Sequence, residues 1–424
     1  MHIRLYIIAS LLIYIGACTQ PYSKPEDLLT ASEKISFEKI STDSVQFAQS
    51  WLVWFEQPID HKHPEKGHFK QRIWYSHKSI EAPVVMITEG YSANRNYTSE
   101  LAKLANANQL IVEHRYFSQS CPDSFDWQYL TVEQAAFDHH RIIEFFKQLY
   151  KTKWATTGIS KGGQTAIFHR ALFPDDVELS VPYVAPINLA REDQRLFDFF
   201  HNVGTEEERE RIFRFQKAVL KKRSEIMPLF KQYATSKEYT FRMGEEKAYD
   251  LVVLEYPFSF WQWGSNVNDI PEPTASAEVL FEHLRNGSDI GYVSDQSWES
   301  IKPFFYQAYK ELGYYAYTPG ELKPLLKGFE EDTISSCMFA PGGDTLKFVP
   351  TMHSVMSKLE TANPKIIAII GENDPWGSTS LNNKKLTNTF RAVEPSGSHL
   401  ARINTLPDAT KEKVLKQINA TLSN

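Results

Sequence analysis

The segment Trp154-Ala155-Thr156-Thr157-Gly158-Ile159-Ser160-Lys161-Gly162-Gly163 carries residue types suited to nucleophilic chemistry, at the spacing that chemistry needs. A serine hydroxyl is presented for attack when it sits on a sharp strand-to-helix turn, and glycines on both sides relieve the crowding of that turn. The residues before Gly158 predict a strand, and Ala166, Ile167 and Leu172 predict a helix after it. Ser160 would then stand clear of a sheet edge, with the Lys161 backbone N–H aimed at the reacting oxygen. Gly-x-Ser-x-Gly alone also marks many harmless turns, so its partners decide.

A serine hydroxyl is a poor nucleophile until a base takes its proton. Of the 13 histidines, His399 stands in Gly397-Ser398-His399, after the short strand expected over 390–393. The acid should lie between serine and histidine in chain order. Residues 366–370 form a continuous apolar run, and Gly371-Glu372-Asn373-Asp374-Pro375-Trp376 leaves its end. Asp374 is expected to hold the second imidazole nitrogen and stabilise the imidazolium. An Asp before Pro375 is also a common turn starter. Glu372 is the alternative acid, and His353 the alternative base, although it precedes the acid-bearing run. A second oxyanion donor is expected from the loop after an early strand. Thr88-Glu89-Gly90-Tyr91 follows the apolar run 84–87, so the Tyr91 backbone is the candidate beside Lys161. Arg115, in Glu113-His114-Arg115-Tyr116, is expected to brace Glu113 or Glu89, since buried charges need partners.

These residues require a scaffold. The runs 84–88, 110–113, 154–157, 181–184 and 366–370 are short and mainly apolar, as strands buried on both faces are. Thr131 with Gln134 predicts a capping box, followed by Ala135, Ala136, Ile142, Ile143, Phe146 and Leu149 at helical spacing. Strand and helix in alternation predict an α/β fold with a mostly parallel sheet covered on both faces. The strand pattern stops over residues 188–340. There, Thr205-Glu206-Glu207-Glu208 opens a charged helix, Thr274 opens another that Gly287 ends, and 298–315 forms a third. This stretch is expected to be a helical cap inserted into a core made of residues 46–187 and 341–424, the last helix starting at Asp408.

The chain has 424 residues, enough for one large domain with an insertion, and a net charge of −6, with none of the clustered basic character that nucleic acid requires. His2 and Arg4 precede the apolar run 5–15, too short to span a membrane and fitting a signal peptide over residues 1–17. Ile15-Gly16-Ala17-Cys18 has the form of a lipobox, with Cys18 the acylated residue and 18–45 a tether. The expected location is the bacterial cell envelope, periplasmic or outer-surface, with membrane contact only through the lipid. After processing, Cys121 and Cys337 remain, and a disulfide between them is one outcome in an oxidising compartment. No Cys/His cluster has zinc spacing, so neither metal nor cofactor is expected.

Six stretches together resemble the S37 serine peptidases, the secreted tripeptidyl aminopeptidase group, distant relatives of the S28 prolyl carboxypeptidases. They are Phe55-Glu56-Gln57-Pro58-Ile59-Asp60-His61, Thr88-Glu89-Gly90-Tyr91, Val112-Glu113-His114-Arg115-Tyr116-Phe117, Gly158-Ile159-Ser160-Lys161-Gly162-Gly163-Gln164, Val181-Pro182-Tyr183-Val184-Ala185-Pro186 and Gly371-Glu372-Asn373-Asp374-Pro375-Trp376. The resemblance implies an α/β-hydrolase core, the triad Ser160, Asp374 and His399, and removal of short peptides, tripeptides among them, from free N-termini. A cap that closes one end of the cleft would need a carboxylate for the substrate ammonium, and Glu89, Glu255 and Glu272 are the candidates. A carboxylic-ester hydrolase on the same triad, and a non-catalytic binding lipoprotein, are the alternatives.

Overall fold

The structure, a computed structural model, describes residues 22–423. The predicted signal peptide and Cys18 lie outside the described residues. In chain order the strands are β1 (Ile35–Ile40), β2 (Gln49–Pro58), β3 (His68–His77), β4 (Val84–Thr88), β5 (Asn108–Val112), β6 (Trp154–Ile159), β7 (Leu179–Tyr183), β8 (Ala316–Tyr317), β9 (Ile334–Ser335), β10 (Ile366–Gly371) and β11 (Thr389–Glu394). The α-helices are α1 (Pro25–Thr30), α2 (Glu100–Leu104), α3 (Val132–Phe146), α4 (Lys161–Leu172), α5 (Gln194–Asn202), α6 (Glu206–Lys221), α7 (Arg223–Ser236), α8 (Glu245–Trp263), α9 (Ala277–Gly287), α10 (Asp295–Gln307), α11 (Thr351–Ala362) and α12 (Asp408–Leu422).

Nine strands form one sheet in the order β1-β2-β3-β5-β4-β6-β7-β10-β11, while β8 and β9 pair with each other. Strands β1 to β3 are antiparallel, and β3 meets β5 antiparallel. From β5 to β11 every pairing is parallel. All residues of β4 and β10 are buried, as their unbroken apolar sequences predict. Helix α4 packs against β6, β7 and α3 and is buried from Lys161 to Ala171, which its Gly162, Gly163 and Ala166 permit. This is the α/β-hydrolase architecture expected from the sequence.

The predicted tether does not extend to residue 45. Leu28 and Leu29 of α1 are fully buried, and β1 pairs with β2 from Ile35↔Phe55 to Ile40↔Ser50. An edge strand with one wet face alternates weakly, so its sequence hides among polar residues. The capping box at α3 is half made. Thr131 accepts from the Gln134 N–H, but the Gln134 side chain is drawn away, accepting from the His61 N–H at 2.9 Å and donating to Asp60 at 3.0 Å. Helix α9 is capped by Ser276, two residues beyond Thr274. Helix α6 has the full box of Thr205 and Glu208.

Helices α5 to α10 lie between β7 and β10 and share one apolar cluster running from Leu196 to Ala340. Its one member from the other side is Trp376, which packs on Phe258, Tyr314 and Tyr315. Helix α11 packs back on α4. No helix among the described residues is long and apolar enough to cross a membrane.

Candidate active site

Ser160 terminates β6 at φ +57°, ψ −123°, a region that a side-chain-bearing residue occupies at a cost. The cost is met by fixed surroundings. The Ser160 N–H donates to Tyr183 O of β7 at 2.9 Å. Gly162 lies so close to β4 that a Cβ there would stand 2.6 Å from Thr88 O. The Thr88 hydroxyl donates to Gly162 O at 2.9 Å, pinning the turn from the far side.

Parallel pairing of β10 with β11, Gly371 opposite Glu394, sends the two following loops out side by side. The Asn373 N–H donates to Gly397 O at 2.8 Å. As a result His399 Nδ1 lies 2.7 Å from Asp374 Oδ2, with Asp374 fully buried and its Oδ1 accepting from the Trp376 N–H. The alternatives are employed elsewhere. Glu372 accepts from the Ser396 N–H, and His353 is exposed on α11. Ser160 Oγ has no hydrogen bond among the described residues; such contacts often tighten only when substrate binds.

The loop after β4 rests on the start of α4: a Cβ on Gly90 would meet Lys161 Cβ at 2.6 Å. Tyr91, Ser160 and Lys161 border one cavity of about 500 Å³, and the Tyr91 N–H has no acceptor among the described residues. The insertion lines the cavity with Glu255, Asp289, Tyr292 and Tyr314. Glu255 is buried, and its Oε2 accepts from the Tyr315 and Tyr317 hydroxyls at 2.8 and 2.7 Å. Burial pushes its carboxyl up to about 7 against the pull of those hydroxyls. The other two amine candidates lie outside this cavity. Glu89 accepts from the Tyr97 hydroxyl, and Glu272 is exposed beside Arg211.

Sequence reasoning missed how α8 reaches the base. The His399 N–H donates to Gln262 O at 2.9 Å, and Trp263 stands edge-on to the imidazole at 5.9 Å. It also missed Tyr315 and Tyr317, whose only signal was the run Tyr314-Tyr315-Ala316-Tyr317. Arg115 does not brace Glu113 or Glu89. It forms a two-pronged pair with Asp138, while Glu113 takes Arg72. Cys121 and Cys337 are not joined.

A larger hollow, about 1070 Å³, lies behind α8 and touches none of Ser160, Asp374 and His399, so size does not identify the reaction site here. His140, Glu144 and Asp176 have ligand atoms within 4.8 Å of one another. Asp176 is already engaged by His140 Nδ1 at 2.9 Å and His169 Nε2 at 2.8 Å, which ties α3 to the end of α4.

A family model described as PS-10 peptidase S37 matches residues 35–419. A prolyl tri/tetrapeptidyl aminopeptidase of Streptomyces mobaraensis is 31% identical over 379 residues, 87% of this chain and 79% of the relative. The serine protease vicPb of Bipolaris victoriae is 31% identical over a shorter stretch, 28% of this chain and 27% of that protein. Among solved structures, a proline iminopeptidase of Mycobacterium smegmatis aligns over 87% of this chain and 98% of its own, at 12% identity and a TM-score of 0.42.

Proposed function

The chain belongs to the PS-10 peptidase S37 family and is a serine peptidase, and on that premise we propose that it releases tri- and tetrapeptides from free N-termini through an acyl-enzyme on Ser160. One observation carries the residue assignment: the Asp374–His399 pair, 2.7 Å apart, follows β10 and β11 at the same sheet edge as the strained Ser160 turn that follows β6. His399 takes the Ser160 proton as Oγ bonds to the scissile carbonyl carbon. It returns that proton to the leaving amine as the C–N bond breaks, and water then repeats the sequence on the ester. The Lys161 and Tyr91 backbone N–H groups hold the oxyanion.

Glu255 is the proposed anchor for the substrate ammonium. It is the buried carboxylate of the Ser160 cavity, and a cation beside it would restore the charge that burial opposes. Helix α8 also suits a length-measuring role. Glu255 and Gln262, which holds the His399 backbone, are seven residues apart on it. At about 1.5 Å per helical residue that is close to the span of three extended peptide residues. Export with acylation of Cys18 remains part of the proposal, supported by the run 5–15 and Ile15-Gly16-Ala17-Cys18.

The test is Ser160→Ala with a serine-directed fluorophosphonate. Turnover should fall by ~10⁴-fold or more, because the acyl intermediate has no other acceptor. Wild type should label at Ser160 and the variant should not. An active Ser160→Ala protein would refute the assignment.

A further inference from the structure

Lys161 follows the nucleophile, and every substitution there except proline leaves its backbone N–H in place. The side chain is what needs an account. It is 3% exposed, at the N-terminal end of α4. An ammonium is disfavoured twice at such a position, by burial and by the positive end of the helix dipole. No ion pair compensates it among the described residues; Glu311 acts on it only at longer range, and burial brings the amine down to about 7. An apolar side chain of the same length would fill the space at lower cost.

The ammonium's partner is informative. Nζ donates to Gly90 O at 2.7 Å and lies over the rings of Tyr91 and Phe117, 5.6 and 5.2 Å from their centroids. Gly90 O and the Tyr91 N–H belong to one peptide unit. In a trans peptide the two point in opposite directions, and the described chain has no cis bond. A hydrogen bond that fixes the carbonyl therefore fixes the N–H. The next carbonyl, Tyr91 O, is held in turn by the His114 N–H at 3.2 Å.

We propose that the Lys161 side chain is a positioning residue of the oxyanion hole: by gripping the Gly90 carbonyl, it turns the Tyr91 N–H toward the reacting oxygen. The same residue then serves both donors, one through its own backbone and one through its ammonium. While protonated, Nζ also polarises that peptide, which makes its N–H a stronger donor. This inference rests on Ser160 as the nucleophile.

The experiment compares wild type with Lys161→Met, which keeps length and removes the donor and the charge. On a free-amine tripeptide amide, kcat should fall ~10²-fold or more, the scale of one lost oxyanion donor. KM should stay within about 3-fold, since ground-state contacts are untouched. A tripeptidyl boronic acid, whose tetrahedral adduct puts an oxygen in the hole, should lose affinity by the same factor as kcat. The product tripeptide should bind as it does to wild type, which a merely structural role would not allow. Lys161→Gln keeps a neutral donor and should show the same split with a smaller loss. It serves alone if circular dichroism finds Lys161→Met misfolded. Undiminished kcat, or equal weakening of boronate and product binding, would overturn the proposal. Ser160→Ala is run alongside: activity there removes the premise, whereas an inactive Ser160→Ala with a fully active Lys161→Met removes only the role given to Lys161.

Discussion

At the scale of single residues, the site sets two demands on Glu255 that pull against each other. As an anchor it must be ionised, yet burial holds its carboxyl near 7. A raised carboxyl favours the folded state while protonated, and that contribution is lost as pH rises from the unfolded value toward 7. Glu255→Gln should therefore raise the melting temperature at pH 8 and change it least at pH 4, where the carboxyl is protonated in the folded state and mostly protonated in the unfolded one. The same substitution should lower kcat/KM for free-amine substrates by ~10²-fold, because the ammonium loses its charged partner. Thermal unfolding at the two pH values, with kinetics on one substrate, checks both halves. A variant that gained no stability at pH 8 would mean that Glu255 is not a strained carboxylate.

At the scale of elements, the parallel strands and the nucleophile turn were legible because their signals are local. Residues 84–87 and 366–370 are apolar without interruption, and Gly158 and Gly162 flank Ser160 at the spacing of a sharp strand-to-helix turn. Asp374 and His399 were paired through chain order, and the β10–β11 register supplies the reason their side chains meet. What escaped depends on distant partners. Gln134 abandons its cap for Asp60 and His61, which no window around α3 contains. The grip of Gln262 and Trp263 on His399 joins positions more than 130 residues apart, and nothing in either segment announces it. The edge strand β1 and helix α1 were missed because each buries only one side. They nevertheless contribute stability: Leu28 and Leu29 alone are worth about 2 kcal/mol each when fully buried. Removing residues 1–21 should leave the melting temperature unchanged, whereas removing 1–45 should lower it by several degrees. Equal melting of the two truncations would return 25–45 to the status of a tether.

At the scale of the whole molecule, helix α8 connects the two halves of the reaction. Its middle carries Glu255 into the cavity and its C-terminal end holds the His399 loop, so the insertion both lines the cleft and positions the proposed base. The proposed acylation of Cys18 predicts, separately, an enzyme attached to a membrane through lipid. Wild type expressed in a bacterial host should partition with detergent, and Cys18→Ser should be released with full activity, since stable attachment needs the acyl chains. Equal solubility of the two forms would remove the anchor and leave the chemistry untouched. The central claim is that this fold is a serine exopeptidase that reads a free N-terminus. It is tested most directly by kcat/KM for two tripeptide amides that differ only in acetylation of the amine. The proposed anchor Glu255, buried in the cavity that Ser160 borders, predicts that acetylation lowers kcat/KM by ~10²-fold or more, through lost charge and added bulk. Equal hydrolysis of the two would contradict the account and mean an open cleft.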